Sequence, residues 1–226
     1  MTQFRSGREV CVAGVGLHPF GRFPEKDLAG LALPPVTDAL SDAGVAWKDI
    51  PVAYFGHVYY HGMSVGETAL GKLGLTGIPI INVENACSSG STAFWQAYWG
   101  IATGVFDLAL AFGAEKVPSG PVTVTAEDSP ERYIGADHMM AGYALRMRRY
   151  MEDHGATATA LAQVAVKARQ NASQNPYAHR KGTFSVEEVL QSRLIADPLT
   201  LYQCCPTSEG AAAAVLLVIV ANLEGV

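Results

Sequence analysis

The chain alternates short, wholly apolar runs with longer stretches in which apolar residues recur at helical spacing. Runs at 10–15, 52–58, 78–83, 107–112 and 211–220 read as buried strands, and the stretches 27–43, 67–73 and 88–103 between them as helices. Gly44 and Gly104 stop the first and last of these helices. Pro34-Pro35 is expected to kink or delay the first, and the Gly14/Gly16 spacing to make a tight turn after the first strand. Strands alternating with helices predict a layered α/β fold, a mixed and mostly parallel five-stranded sheet with helices on both faces. The stretch 88–103 carries Ala93, Phe94, Trp95, Ala97, Tyr98, Trp99, Ile101 and Ala102, apolar on nearly every side. It is expected to be buried all round, between two layers.

From 117 to 206 the texture changes to polar, Ala-rich helical stretches with turns such as Asn175-Pro176. This predicts an α/β core of residues 1–116 and 207–226, interrupted by an inserted helical loop domain of residues 117–206. Arg146, Arg148 and Arg149 cluster within the insertion. They read as a solvated helix face, or alternatively as a seat for a phosphorylated carrier such as coenzyme A.

Of 226 residues, 49% are hydrophobic and 16% charged, and the net charge is -5, enough apolar content for a sizeable core but no basic field to hold nucleic acid or an anionic membrane. No apolar run approaches the roughly 18–20 residues of a membrane span, the longest being 211–221. The four cysteines, Cys204 and Cys205 adjacent, fit neither a zinc spacing nor a disulfide framework. The expectation is a cytoplasmic, reduced protein without metal, resident cofactor, nucleic acid or membrane partner.

Cys87 is the residue with the most chemistry in its context. It stands between the apolar run ending at Val83 and the small-residue start Ser88-Ser89-Gly90, so a strand, a short turn and a helix N-terminus meet at the thiol. A helix N-terminus favours the thiolate, and small neighbours leave room for a substrate carbonyl. Cys87 is the candidate nucleophile, with Ser88, Ser89 and Gly90 as candidate substrate-binding residues. Cys11, Cys204 and Cys205 sit in apolar or turn contexts and are expected to be structural. Tyr59, Tyr60, Tyr98, Trp95 and Trp99 read as core residues or, alternatively, the lining of an acyl pocket.

Four blocks, in order, carry a resemblance. They are 74–93 (Gly-Leu-Thr-Gly-Ile-Pro-Ile-Ile-Asn-Val-Glu-Asn-Ala-Cys-Ser-Ser-Gly-Ser-Thr-Ala), 111–116 (Ala-Phe-Gly-Ala-Glu-Lys), 175–177 (Asn-Pro-Tyr) and 204–214 (Cys-Cys-Pro-Thr-Ser-Glu-Gly-Ala-Ala-Ala-Ala). Together they resemble the thiolases of the sterol-carrier-protein type, over nearly the whole chain. Glu209 replaces the family's usual Asp, and Pro34-Pro35 is unusual in its first helix. The resemblance implies the N-terminal half of a duplicated α/β fold, and an acyltransferase working on an acyl or 3-oxoacyl thioester of coenzyme A. In it Cys87 takes the acyl group as a thioester. The second half, which in the family supplies two histidines, a second cysteine and a glycine-rich loop, has no counterpart in these residues. None of His18, His57, His61, His138, His154 or His179 falls in a matching motif. Family association through the strand equivalent to 80–83 implies a homodimer, or a complex with another thiolase-like or small accessory subunit.

Three rival readings remain. Gly62-Met63-Ser64-Val65-Gly66 fits the nucleophile-elbow pattern of α/β-hydrolases. Some sterol-carrier-type homologues cleave steroid side-chain thioesters as aldolases with a small partner, usually without the nucleophile motif that Cys87 carries. A half-length homologue could also be a catalytically silent binding or assembly subunit.

Overall fold

A computed structural model describes residues 7–60, 62–120, 122–123 and 128–219. In chain order the elements are β1 (Val10–Leu17), α1 (Leu28–Ala43), β2 (Ala53–Gly56), α2 (Val65–Leu70), β3 (Ile80–Val83), α3 (Ser89–Ala102) and β4 (Leu108–Glu115). Then come α4 (Pro130–Tyr133), α5 (Met139–His154), α6 (Ala158–Ser173), α7 (Val186–Gln191), β5 (Leu194–Ala196), β6 (Leu199–Thr200) and β7 (Gly210–Val218). The chain divides into two compact units, Met1–Val117 with Ser208–Val226, and Pro118–Thr207. His61, named above, and the last position of the run 211–220 lie outside the described residues.

The first unit is a five-stranded sheet in the order β1-β7-β4-β2-β3. β2 pairs in parallel with β3 and β4, while β7 pairs antiparallel with β4 and β1. The sheet is therefore evenly mixed rather than mostly parallel. The polarity of β7 follows from its entry: the chain reaches it from the second unit, not through a crossover helix, so the right-handed βαβ constraint does not apply. All four of β1, β2, β3 and β4 end on one side of the sheet, where β7 begins.

Each face carries its own core. On one, Leu31, Val36 and Ala39 of α1 and Ala69 and Leu70 of α2 pack over Phe55, Leu110, Phe112 and Val215. On the other, Ala93, Ala97 and Ile101 of α3 pack over Tyr54, Val83, Ala109, Ala111 and Leu216. This accounts for the apolar runs, since strands covered on both faces need no polar alternation.

α1 runs through Pro34 and Pro35 without delay, begun by the Asp27 carboxylate accepting from the Gly30 N–H and ended by Gly44 at φ 66. Gly14 and Gly16 make no turn. They lie within β1, where a Cβ would overlap the Ala39 and Pro35 carbonyls, so α1 can rest directly on the strand. A bulge between Val12 and Gly14 shifts the strand's alternation by one residue. It keeps Val12, Val15 and Leu17 on the α3 face and the glycines under α1.

α3 departs from the expectation of all-round burial. Ala93, Ala97 and Ile101 are buried, but Phe94 and Trp95 are 37% and 56% exposed. One helix cannot cover a face that α1 and α2 share on the other side, and Val12 and Val15 on β1 are left exposed too.

In the second unit, α6 packs against α7, and β5 pairs antiparallel with β6 in a small sheet that the sequence pattern does not announce. Arg149 pairs with Asp153 on its own helix, Arg148 with Asp197, and Arg146 lies over the Tyr143 ring. Each guanidinium is engaged locally, which favours the solvated-face reading over a common phosphate seat.

Candidate active site

β3 ends at Val83, a single 3-10 turn spans Ala86–Ser88, and α3 starts at Ser89, leaving Cys87 exposed on the turn at the strand-to-helix join. Ala86, just before it, has φ 46, a left-handed conformation that costs a residue with a Cβ about 1 kcal/mol or more. The surroundings hold it there. The Glu84 carboxylate accepts from the Ala86 N–H at 2.6 Å. The Ser89 hydroxyl donates to the Ala86 carbonyl and accepts from the Asn85 N–H, both at 2.8 Å. Asn85 also donates through its side chain to Thr92 on α3.

Beneath this turn the sheet is stripped of side chains. Gly56 on β2 and Gly113 on β4 are register partners. A Cβ on Gly56 would come within 2.6 Å of the Ser89 carbonyl, and one on Gly113 within 3.8 Å of the Gly90 Cα. The N-terminus of α3 thus rests on backbone, at the carboxyl ends of the parallel strands, where α/β sheets bind ligands.

Ser88 and Gly90 are exposed beside Cys87, whereas Ser89 is buried with its hydroxyl engaged in the turn. Cys11 and Cys204 are half-buried and Cys205 exposed, and burial, with Cys205 beside it, pushes the Cys204 thiol up. Tyr60 packs against the α1-side core and Tyr98 against the α3-side core, while Trp95 is exposed.

The two described histidines of this unit have ring neighbours other than Cys87. His57 stacks on Phe55 on the α1 face, its Nδ1 buried without a partner. His18 is buried edge-on to Phe23, its Nδ1 2.6 Å from the Pro19 carbonyl and its Nε2 2.7 Å from Lys26 Nζ. Beside it Glu209 is buried. Its carboxylate accepts from the Phe23 N–H at 2.7 Å and faces Lys116 at 3.4 Å and Arg22 at 3.7 Å. Ser64 has φ 52 before α2, but His57 to Met63 intervene between β2 and that serine, so no strand-to-helix elbow forms. Among the described residues no cluster of three His, Cys, Asp or Glu could hold a metal, and no helix is long and apolar enough to cross a membrane.

The first unit is thus a mixed α/β sheet that presents a cysteine at the head of a helix resting on sheet backbone. The chain belongs to the thiolase family: the pattern described as thiolase, N-terminal domain, matches residues 10–219. It is 42% identical over 216 residues to the benzoylsuccinyl-CoA thiolase subunit BbsB of Thauera aromatica, covering 92% of this chain and 55% of that protein. It is 37% identical over 224 residues to sterol carrier protein 2 of Bos taurus, covering 92% of this chain and 41% of that protein. Among solved structures it is similar to an Ltp2-ChsH2(DUF35) aldolase at TM-score 0.79 and 26% identity, over 94% of this chain and 56% of that one. It shares its fold with human mitochondrial 3-ketoacyl-CoA thiolase in complex with CoA, at TM-score 0.71 and 15% identity, over 94% and 65%. The chain spans about half the length of the curated relatives it matches.

Proposed function

We propose that this chain supplies the nucleophilic half of a thiolase-type acyltransferase working on acyl or 3-oxoacyl thioesters of coenzyme A. The observation that carries the reading is Cys87, exposed on a turn whose left-handed Ala86 is clamped by Glu84 and Ser89. Strain retained at an exposed nucleophile is a mark of preorganisation. In the reaction the Cys87 sulfur attacks a carbonyl carbon of the substrate, the thioester carbon of an acyl thioester or the 3-oxo carbon of a 3-oxoacyl thioester, and forms a new C–S bond. The bond to the outgoing group breaks, and that group leaves with the proton the thiol gave up. A second thiol then takes the acyl group from Cys87. The positive end of the α3 dipole favours the negative charge that develops on the carbonyl oxygen. Ser88 and Gly90 line the approach, and Ser89 holds the turn. Coenzyme A is substrate, in a reducing cytoplasmic setting, and lipid or steroid thioesters are the class to try first.

The partner is a second thiolase-like unit, either in another copy of this chain or in a different subunit. The exposed apolar strip of Phe94, Trp95, Val12 and Val15 supports this, as does the name of BbsB as a thiolase subunit. A steroid-type aldolase or a silent assembly subunit is the second reading, favoured by the likeness to the Ltp2-ChsH2(DUF35) aldolase. The test is acetoacetyl-CoA cleavage by the chain, alone and co-expressed with its candidate partner, with Cys87→Ala as control. Turnover with the partner that falls at least a thousandfold in Cys87→Ala supports acyl transfer. Turnover indifferent to Cys87 overturns it.

A further inference from the structure

Glu115, the last residue of β4, uses both carboxylate oxygens on main-chain donors. Oε2 accepts from the Val58 and Tyr59 N–H groups at 2.6 and 2.9 Å, and Oε1 from Tyr60 and Lys116 at 3.0 and 3.1 Å. Three consecutive N–H groups of the chain leaving β2 are thus fastened to one side chain. An ionised carboxylate is suited to this, having only acceptors and room for about four donors.

The position of that bond set relative to Cys87 follows from the strand alternation. On β4, Leu110, Phe112 and Ala114 face α1, while Ala109 and Ala111 face α3. Gly113 approaches Gly90, so the next residue of that parity, Glu115, projects from the α3 face, beyond the point where α3 begins. β2 lies between β4 and β3. The His57 N–H donates to the Val83 carbonyl, so the segment leaving β2 and the Glu84–Cys87 turn leaving β3 start side by side. Nothing in the turn around Cys87 uses Glu115, and nothing in the fold requires three donors of one exit loop on a single side chain.

We propose that Glu115 is a positioning residue: it holds residues 58–60 as a fixed wall beside Cys87 and thereby sets which acyl groups reach the sulfur. The inference rests on Cys87 as the acyl acceptor, and its test is independent of coenzyme A chemistry. Cys87 is alkylated with iodoacetamide and, separately, with the bulky N-phenyl iodoacetamide, in wild type and Glu115→Gln, by peptide mass spectrometry. Amide exchange across 57–62 is followed on the same samples. A glutamine keeps one acceptor oxygen but turns an NH2 group toward two donors. The expected result is an iodoacetamide rate within twofold of wild type, a small-to-bulky rate ratio at least fivefold lower, and amide exchange at 58–60 at least tenfold faster. Glu115→Asp, which keeps the charge one methylene short, is expected to fall between the two. An unchanged ratio, or equal shifts with both reagents, overturns the proposal. Should Glu115→Gln fail to melt cooperatively, Glu115→Asp carries the test, with a twofold or larger fall in the ratio expected and none overturning it. Failure of acyl-CoA to acylate Cys87 would instead count against the function proposed above, and leaves these readings intact.

Discussion

At the scale of single residues, the four cysteines differ in exposure and in setting. Cys87 and Cys205 are exposed and Cys11 and Cys204 half-buried, but Cys87 alone stands on a clamped turn at the head of a long helix. Limiting iodoacetamide is expected to modify Cys87 first. Cys204 is expected to react last, because burial holds its proton on to higher pH, so its labelling rate rises later along a pH series than that of the others. Peptide mapping across pH 6 to about 10, spanning the ordinary thiol range, checks this, and Cys205 reacting ahead of Cys87 would contradict it. Cys87 was legible in the sequence because the residue type and its small neighbours are the signal. The clamp was not, because Glu84 and Ser89 act through backbone contacts that depend on a left-handed Ala86, and no residue type announces a left-handed alanine. Glu115 carries no signal in the sequence either, because its partners are main-chain N–H groups that only the fold brings together.

At the scale of elements, the α3 N-terminus can rest on the sheet because Gly56 is bare. The atoms a Cβ on Gly56 would strike are all backbone, at 2.6 to 2.7 Å, and cannot rotate away. Gly56→Ala is expected to cost about 1–3 kcal/mol in denaturant unfolding and to slow Cys87 labelling severalfold by displacing the turn. A variant as stable and as reactive as wild type would show that the close approach does not matter. α1 gives a second expectation. The Lys72 ammonium, with the Gly30 N–H, holds the Asp27 carboxyl below its ordinary value. A depressed folded value means the contribution is complete above the ordinary carboxylate range and is lost as pH falls through the folded value. The melting-temperature gap between wild type and Asp27→Ala should therefore be present at neutral pH, close on acidification, and narrow in salt, since both partners are exposed. The strands and helices of this unit were readable from apolar runs and stop signals, with ends displaced by a few residues. The β1 bulge was not, since one extra residue leaves no mark in an apolar run. Nor was the direction of β7, which depends on how the chain returns from the second unit.

At the scale of the molecule, an apolar strip on α3 and β1 is left exposed by a sheet that has two helices on one face and one on the other. Composition shows that such a chain can bury a core, not which face will be short of cover. Phe94 and Trp95 look like core residues until the small-residue side of α3 is seen to be the buried one. Strips of this kind mark interaction surfaces. Light scattering is expected to show a dimer or a complex, and Trp95→Glu to weaken it. A compact monomer that binds little hydrophobic dye would contradict the expectation.

The central claim is that Cys87 accepts an acyl group, and the most direct measurement is the mass of the Cys87 peptide after incubation with acetyl-CoA and acid quench. An acetyl adduct is expected on that peptide, removed by hydroxylamine as a thioester should be and absent in Cys87→Ala. An unmodified Cys87 peptide under conditions where iodoacetamide labels it fully, or an adduct borne by Cys204 or Cys205 instead, would contradict it.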